Sequence, residues 1–496
     1  MKTIGRDFGD TARKVYAVAS GALGNGKAVV VNSDGTVSVV NGSSGGTGSA
    51  TQFESSRLKN DYFSCFYDSD NQKIIIMYSD EGDSSKGKAV VGTVSGTSIS
   101  FGSIITFRNA NTSYLAGTYV GSSKVLVQYR NEGTNNQQEA LVGTVSGTSI
   151  SFGSPVVVDS GAVNSPQTVY DVNANKVVLL YADEGNSQYG SARVGTVSGT
   201  TVSFGTVTVF ESAEARHMAA VYDSTAQKIV TSFRDGGDSN KLKAIVGTVS
   251  GTSISFGSAT TFENSNNSTN TKHQSVYDSV NNRFVVFYTD IAASNTGNAV
   301  VGTVSGTSIS FGTPVVFLSA VSNVQPMGMN AGFDPNSGKI FLAYAKYNTS
   351  SQAYDSGFSR VATVSGTTIS FTDEATITGL SNSLASNQTV AFDTGSGNFV
   401  TGFQVSSSPY PGAVLVHGLA FTTLTAENYI GITPSAYPDG AGAEIQTKGA
   451  VNEEQSGLTA GQSYFVQTDG TLSTTAGDPS VFAGTAVSAT KIIVKG

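Results

Sequence analysis

A twelve-residue phrase, Val91-Gly92-Thr93-Val94-Ser95-Gly96-Thr97-Ser98-Ile99-Ser100-Phe101-Gly102, limits what this chain can fold into more than any other stretch. It returns almost unchanged at Gly143, Gly195, Gly247 and Gly302, and with alanine first at Ala362. Each copy reads as a β-hairpin: Val, Ile and Phe alternate with Thr and Ser at the period of a half-buried strand, and Ser-Gly supplies a tight turn. Successive copies start 51, 52, 52, 55 and 60 residues apart, a repeat length that points to stacked supersecondary units.

Between the hairpins lies a second pattern, an aromatic-Asp pair followed by an apolar run led by Lys, Arg or, once, Asn398. It is read at Phe66-Tyr67-Asp68, Val169-Tyr170-Asp171, Val221-Tyr222-Asp223, Val276-Tyr277-Asp278, Gly332-Phe333-Asp334 and Ala391-Phe392-Asp393, with a weaker form at Thr118-Tyr119-Val120. Two strands from this pattern and two from the hairpin make a four-stranded antiparallel unit, the signature of a β-propeller blade. The expected fold is all-β: a seven-bladed β-propeller over 28–423, closed by N- and C-terminal strands. Closure is assigned to 28–40, whose Asp34-Gly35 turn makes it a degenerate hairpin, against the half-unit Gly412–Phe421. Residues 1–27 form a lead-in, and 424–496 leave the repeat as a small C-terminal β domain with turns at Pro438-Asp439-Gly440 and Asp469-Gly470.

The 57 glycines do not signal disorder, because apolar residues keep a strict period. A formal net charge of −8 and no basic stripe argue against nucleic acid as a partner. No stretch is long and apolar enough for a membrane span, and Met1 to Phe8 lacks the apolar core of an export signal. Cys65, alone in the chain, sits in an apolar strand pattern and reads as an inert core thiol.

Short, repeated turns on one face look selected for folding. The opposite connections, 108–117, 159–167, 211–218, 263–275, 318–329 and 379–388, differ in length and sequence, as recognition loops on a constant scaffold do. They carry the candidate binding residues Arg108, Tyr114, Arg216, His217, Lys272 and His273, with Met327 beside them; Arg and His near an aromatic suit sugar hydroxyls or acidic glycan groups. Acidic turns at Asp80-Glu81-Gly82, Asn131-Glu132-Gly133, Asp183-Glu184-Gly185, Asp235-Gly236-Gly237 and Asp290 read as turn starters before calcium ligands. No metal site, cofactor or catalytic set is assigned: the carboxylates recur with the repeat, the three histidines lack ligand or triad spacing, and no Trp completes a sialidase-type Asp-box. The chain is read as not an enzyme.

The repeated Gly-Thr-Val-Ser-Gly-Thr-Ser-Ile-Ser-Phe-Gly resembles repeat proteins of tailed bacteriophages, marine ones especially. Gly457 to Thr475 and Gly484 to Lys491 are similar to C-terminal modules of phage fibre and appendage proteins. The resemblance implies a virion protein of the tail or fibre, released by lysis. Its partners would be other virion proteins and a host cell-surface glycan or protein, and a homotrimer would suit a fibre. The alternatives are a capsid-decoration or tail-assembly protein without a receptor, and a glycan-degrading enzyme.

Overall fold

The computed structural model describes residues 13–20, 23–32, 34–40, 42–267, 273–377, 388–405, 408–422, 424–438, 440–468 and 470–495. The chain divides into two compact units, 47–417 and a second made of 1–46 with 418–496. Among the described residues the regular structure is β-strand, joined by three short 3-10 turns, and the expectation of an all-β protein holds.

In the larger unit each repeat makes one antiparallel sheet. The fifth is representative: Gln274–Asp278, Arg283–Asp290 and Thr296–Ser305 lie side by side, and the outer edge comes in two pieces, Ser308–Phe311 and Val315–Leu318. The register carries apolar residues through the sheet, Val276↔Val285↔Val301 and Val304↔Ile309. The second strand is apolar on both faces, Phe284 to Tyr288 being wholly buried, because each sheet is packed between two others. The core therefore lies between sheets: Val285, Phe287 and Val301 meet Ile340, Leu342 and Tyr344 of the next repeat. In the first two repeats the tyrosine near the end of the second strand keeps its hydroxyl satisfied on a carboxylate, Tyr78 on Glu54 at 2.9 Å and Tyr129 on Glu139 at 2.7 Å.

The repeated Asp closes the turn behind the inner strand. Asp278 Oδ1 accepts from the Val280 and Asn281 N–H groups, and Asp171, Asp223, Asp334 and Asp393 do the same for their turns. The glycine ending the hairpin phrase permits close approach. A Cβ on Gly102, Gly153, Gly205 or Gly257 would lie 1.9, 1.9, 1.9 or 2.0 Å from the carbonyl oxygen of a threonine in the next repeat's Ser-Gly-Thr turn.

The inner strands neighbour one another in chain order, and the last neighbours the first. A hydrogen bond crosses every junction. Thr168 donates to Ala116 O, His217 N–H to Ser165 Oγ, and Thr289 to Pro326 O; the Ser232 and Ser275 hydroxyls are hydrogen-bonded at 2.8 Å. Val390 N–H donates to Asn330 Oδ1, Cys65 N–H to Thr389 Oγ1, and Gly117 N–H to Ser64 Oγ.

Two expectations are corrected. Residues 28–40 do form the Asp-Gly hairpin, Val31↔Val37, but Ala28 and Val29 pair with Ile432 and Gly431 in the smaller unit. The seventh sheet is completed instead by Thr51–Glu54 on Gly412–Val414, with Gly48 N–H donating to Val416 O at 2.9 Å. Gly48 plays the part of the phrase-ending glycine, its Cβ position 1.8 Å from Thr97 O. Nor does the described part of the lead-in stand alone: Lys14–Val18 pairs with Gly442–Gln446. In the smaller unit two five-stranded sheets bury Ala28, Val30, Tyr429 and Ile432 with Tyr464, Val466, Ile492 and Val494. No helix among the described residues is long and apolar enough to cross a membrane.

Candidate functional site

The inner strands are bent at one recurring place. Their register slips between Ser113 and Ala116, Asn164 and Gln167, Arg216 and Ala219, and Met327 and Asn330. Within each slip one residue takes a left-handed backbone: Tyr114 (φ 45°), Ser165 (51°), His217 (51°) and Gly328 (59°). A bulge of this kind re-aims side chains while the strand on either side stays paired. Tyr114, Ser165 and His217 each stand six residues before the residue that ends the inner-strand motif, Val120, Asp171 and Asp223, so the repeat sets their position.

The bulges surround a funnel of about 660 Å³ lined by residues of the inner strands from Leu58–Asp68 to Gln388–Asp393. Its polar lining includes Asn164, Gln167, Thr168, Arg216, Gln274 and Asn330, and its apolar lining Tyr114, Leu115, Met327, Met329 and Tyr354. No Asp or Glu is among the described residues of the lining.

Of the residues singled out in the sequence, Tyr114, Arg216, His217, His273 and Met327 come together on this funnel. The Arg130 guanidinium lies over the Tyr114 ring, 5.2 Å from its centroid, and pairs with Glu184 at 3.6 Å. Arg216 pairs through Nε with Glu214 at 2.6 Å and donates from Nε to Gln188 Oε1 at 2.7 Å. His273 is no loop residue on the surface: it is buried, and burial holds its pKa down to about 4, with the Arg234 charge adding to the effect and the Ser232 backbone opposing it. Arg108 lies outside the funnel, on Glu139 at 3.1 Å, and Lys272 lies outside the described residues.

The reading of 108–117 and 211–218 as loops is corrected. Ile105–Tyr119 and Thr208–Asp223 are unbroken strands whose first halves edge one sheet and whose second halves begin the next. Sequence reasoning missed Gln167, Gln274, Asn330 and Thr389. All four stand four residues before the repeated Asp (Asp171, Asp278, Asp334, Asp393), a column where the repeats differ and which could have been counted off.

The acidic turns serve the fold. Asp235 accepts from the Gly237 and Asp238 N–H groups and pairs with Lys243 at 2.7 Å, and Asp80 is held by Ser56 and Lys88. Among the described residues no group of three His, Cys, Asp or Glu could hold a metal ion. Cys65 borders the funnel with its thiol pushed up to about 12 by burial, which disfavours the reactive thiolate.

No family model and no curated protein matches the chain. Solved structures do. AofleA from Arthrobotrys oligospora has 10% identity and a TM-score of 0.41 over 67% of this chain and 87% of its own. The Aleuria aurantia lectin, described as a six-bladed β-propeller with a novel fucose recognition mode, has 12% identity and a TM-score of 0.39 over 65% and 98%. Trypanosoma rangeli sialidase in complex with sialic acid has 11% identity and a TM-score of 0.38 over 75% and 59%. At these identities the likeness is one of propeller-like fold and carries no activity across. These neighbours are a lectin, a sialidase and AofleA, with no phage protein among them, so the reading as a phage tail or fibre adhesin is withdrawn.

Proposed function

We propose that residues 47–417 form a closed seven-bladed β-propeller that binds carbohydrate in its central funnel. Closure is supported by the round of inner strands in which the last neighbours the first, by the hydrogen bond across every junction and by the pairing of Thr51–Glu54 with Gly412–Val414. One observation carries the ligand class: a repeated bulge turns different side chains, Tyr114, Ser165 and His217, into one funnel on a scaffold that otherwise repeats. Varied display on a constant frame is how recognition surfaces are built. A sugar presents hydroxyls that both donate and accept, and C–H faces that lie on apolar rings. The amides of Asn164, Gln167, Gln274 and Asn330 offer both hydrogen-bonding roles, and Tyr114, Tyr354 and Met327 offer the apolar surface.

A panel of immobilised glycans tests the reading. A defined subset is expected to bind, with Tyr114→Ala and Gln167→Ala each weakening it by about tenfold or more. Binding that survives both substitutions, or no binding to any glycan, counts against the funnel as the site.

A second reading, glycan cleavage, has one observation in its favour. Tyr114 borders the funnel beside the Arg130 guanidinium, and tyrosine is the nucleophile in sialidases, one group of glycosidases that departs from the two-carboxylate scheme. Release of free sugar by the wild type, abolished in Tyr114→Phe while binding persists, would favour this reading; bound glycan recovered intact favours recognition alone.

A further inference from the structure

We propose that the corner of the funnel between the fourth and fifth repeats recognises an anionic substituent of the bound glycan, a carboxylate or a sulfate. The inference rests on the carbohydrate reading above and narrows it.

Charge in this corner is unbalanced. Arg216 and Arg234 share one carboxylate, Glu214, at 2.6 and 3.0 Å. Arg234 is the buried member, its side chain 8% exposed, and it fixes Glu214 within the wall. Arg216 is the outer member, 37% exposed and bordering the funnel. Both of its contacts leave from Nε, so its terminal nitrogens donate to no described residue. A guanidinium held by Nε presents its other edge as a two-pronged donor, the geometry that matches a carboxylate or sulfate. No described acidic side chain lines the funnel to repel such a group.

His273 is the second, independent observation. Five residues before the residue that ends each inner-strand motif, five of the other six repeats place an apolar residue, Phe63, Leu115, Pro166, Met218 and Met329, and the last places Gln388. The fifth repeat puts a histidine there, 4% exposed, edge-on to Phe262 with ring centroids 6.3 Å apart. Among the described residues neither ring nitrogen has a hydrogen-bond partner of good geometry, and the Ser232 backbone opposes the effect of burial on the ring only weakly. A buried imidazole in that condition costs stability that methionine or leucine would not, and a ligand group supplying the missing partner offsets the cost on binding. Neutral imidazole offers one donor and one acceptor, enough to take an anionic oxygen on one side and a sugar hydroxyl on the other. Gln274, next in the chain, also borders the funnel.

Calorimetric titration with matched pairs tests this: sialyllactose against lactose, a glucuronate-terminated disaccharide against its glucose counterpart, and a sulfated disaccharide against the unsulfated one. In at least one pair the charged member is expected to bind about tenfold tighter, and which pair does so tells carboxylate from sulfate. Arg216→Gln is expected to close that gap, and an unchanged Tm shows that the variant folds. His273→Met is expected to weaken binding of the charged sugar and raise Tm, the signature of a polar group kept for a ligand. Equal affinities within every pair, or a gap that survives Arg216→Gln, overturns the anionic corner and leaves the carbohydrate site standing. Failure of every sugar to bind overturns both.

Discussion

Two histidines in this chain lie where water does not reach, and each makes stability depend on acidity. Burial holds His273 and His417 down to about 4, against an ordinary value near 6.5. In the fold both stay neutral between these limits, whereas the unfolded chain takes up the protons. Their contribution is thus complete above pH 6.5 and is lost as pH falls towards 4, by about 3 kcal/mol each at the lower limit. Denaturant titrations from pH 7 to 4 should show this slope, and His417→Gln should remove about half of it. An unchanged slope would mean that His417, tilted against the Phe341 ring with centroids 4.9 Å apart, is protonated without unfolding. Nothing in the local pattern marks this burial: a histidine before Gln-Ser-Val-Tyr-Asp reads as a loop residue until the bulge column beneath it is recognised. Tyr114, Arg216 and His217 were legible for a different reason, since they break a pattern whose neighbouring copies are nearly identical.

At the scale of the hairpin, two glycines of one phrase answer to different constraints. Gly199 sits in the turn with φ +59° and open space around its Cβ position, so the strain of a side chain there is confined to its own backbone. Gly205 has no such φ, but its Cβ position lies 1.9 Å from Thr252 O, part of the next sheet. Gly199→Ala should cost about 1 kcal/mol, the ordinary left-handed penalty. Gly205→Ala must move one sheet against another and should cost about 1–3 kcal/mol, the range for overpacking. Equal shifts in thermal melts of the two variants would deny the close approach. The sixth copy departs from the rule consistently: Thr372 replaces the glycine, and the chain contains no further Ser-Gly-Thr turn in the repeat beyond it. The strands of each sheet were legible because the chain writes them repeatedly at a period of two. The connection 108–117 was not, since one continuous strand edges one sheet and opens the next, and its polar composition looks the same in a loop.

For the repeat unit as a whole the question is whether its ends meet as its middle does. An open row of sheets would leave the first and last with an uncovered face; a ring has none, and each junction then bears the same load. The closing junction is made by residues distant in sequence, Cys65 with Thr389 and Thr51–Glu54 with Gly412–Val414. Sequence could indicate that half-units at the two ends complete one another, but not which N-terminal segment does so. The Asp34-Gly35 hairpin and the Gly-Ser stretch after it were equally able to form strands, and only the partners at 429–432 and 412–416 decide between them. Gly48 gives a direct test, because it occupies at the closing junction the place that Gly205 occupies within the row, 1.8 Å from Thr97 O against 1.9 Å from Thr252 O. In a closed ring Gly48→Ala and Gly205→Ala open equivalent seams, so both should lower the melting temperature of 47–417 by a similar few degrees with a single transition. In an open row Gly48→Ala would loosen only a terminal strand, leaving the main transition in place while Gly205→Ala lowers it. Differential scanning calorimetry of the two variants separates these outcomes, and a main transition unmoved by Gly48→Ala would refute the ring.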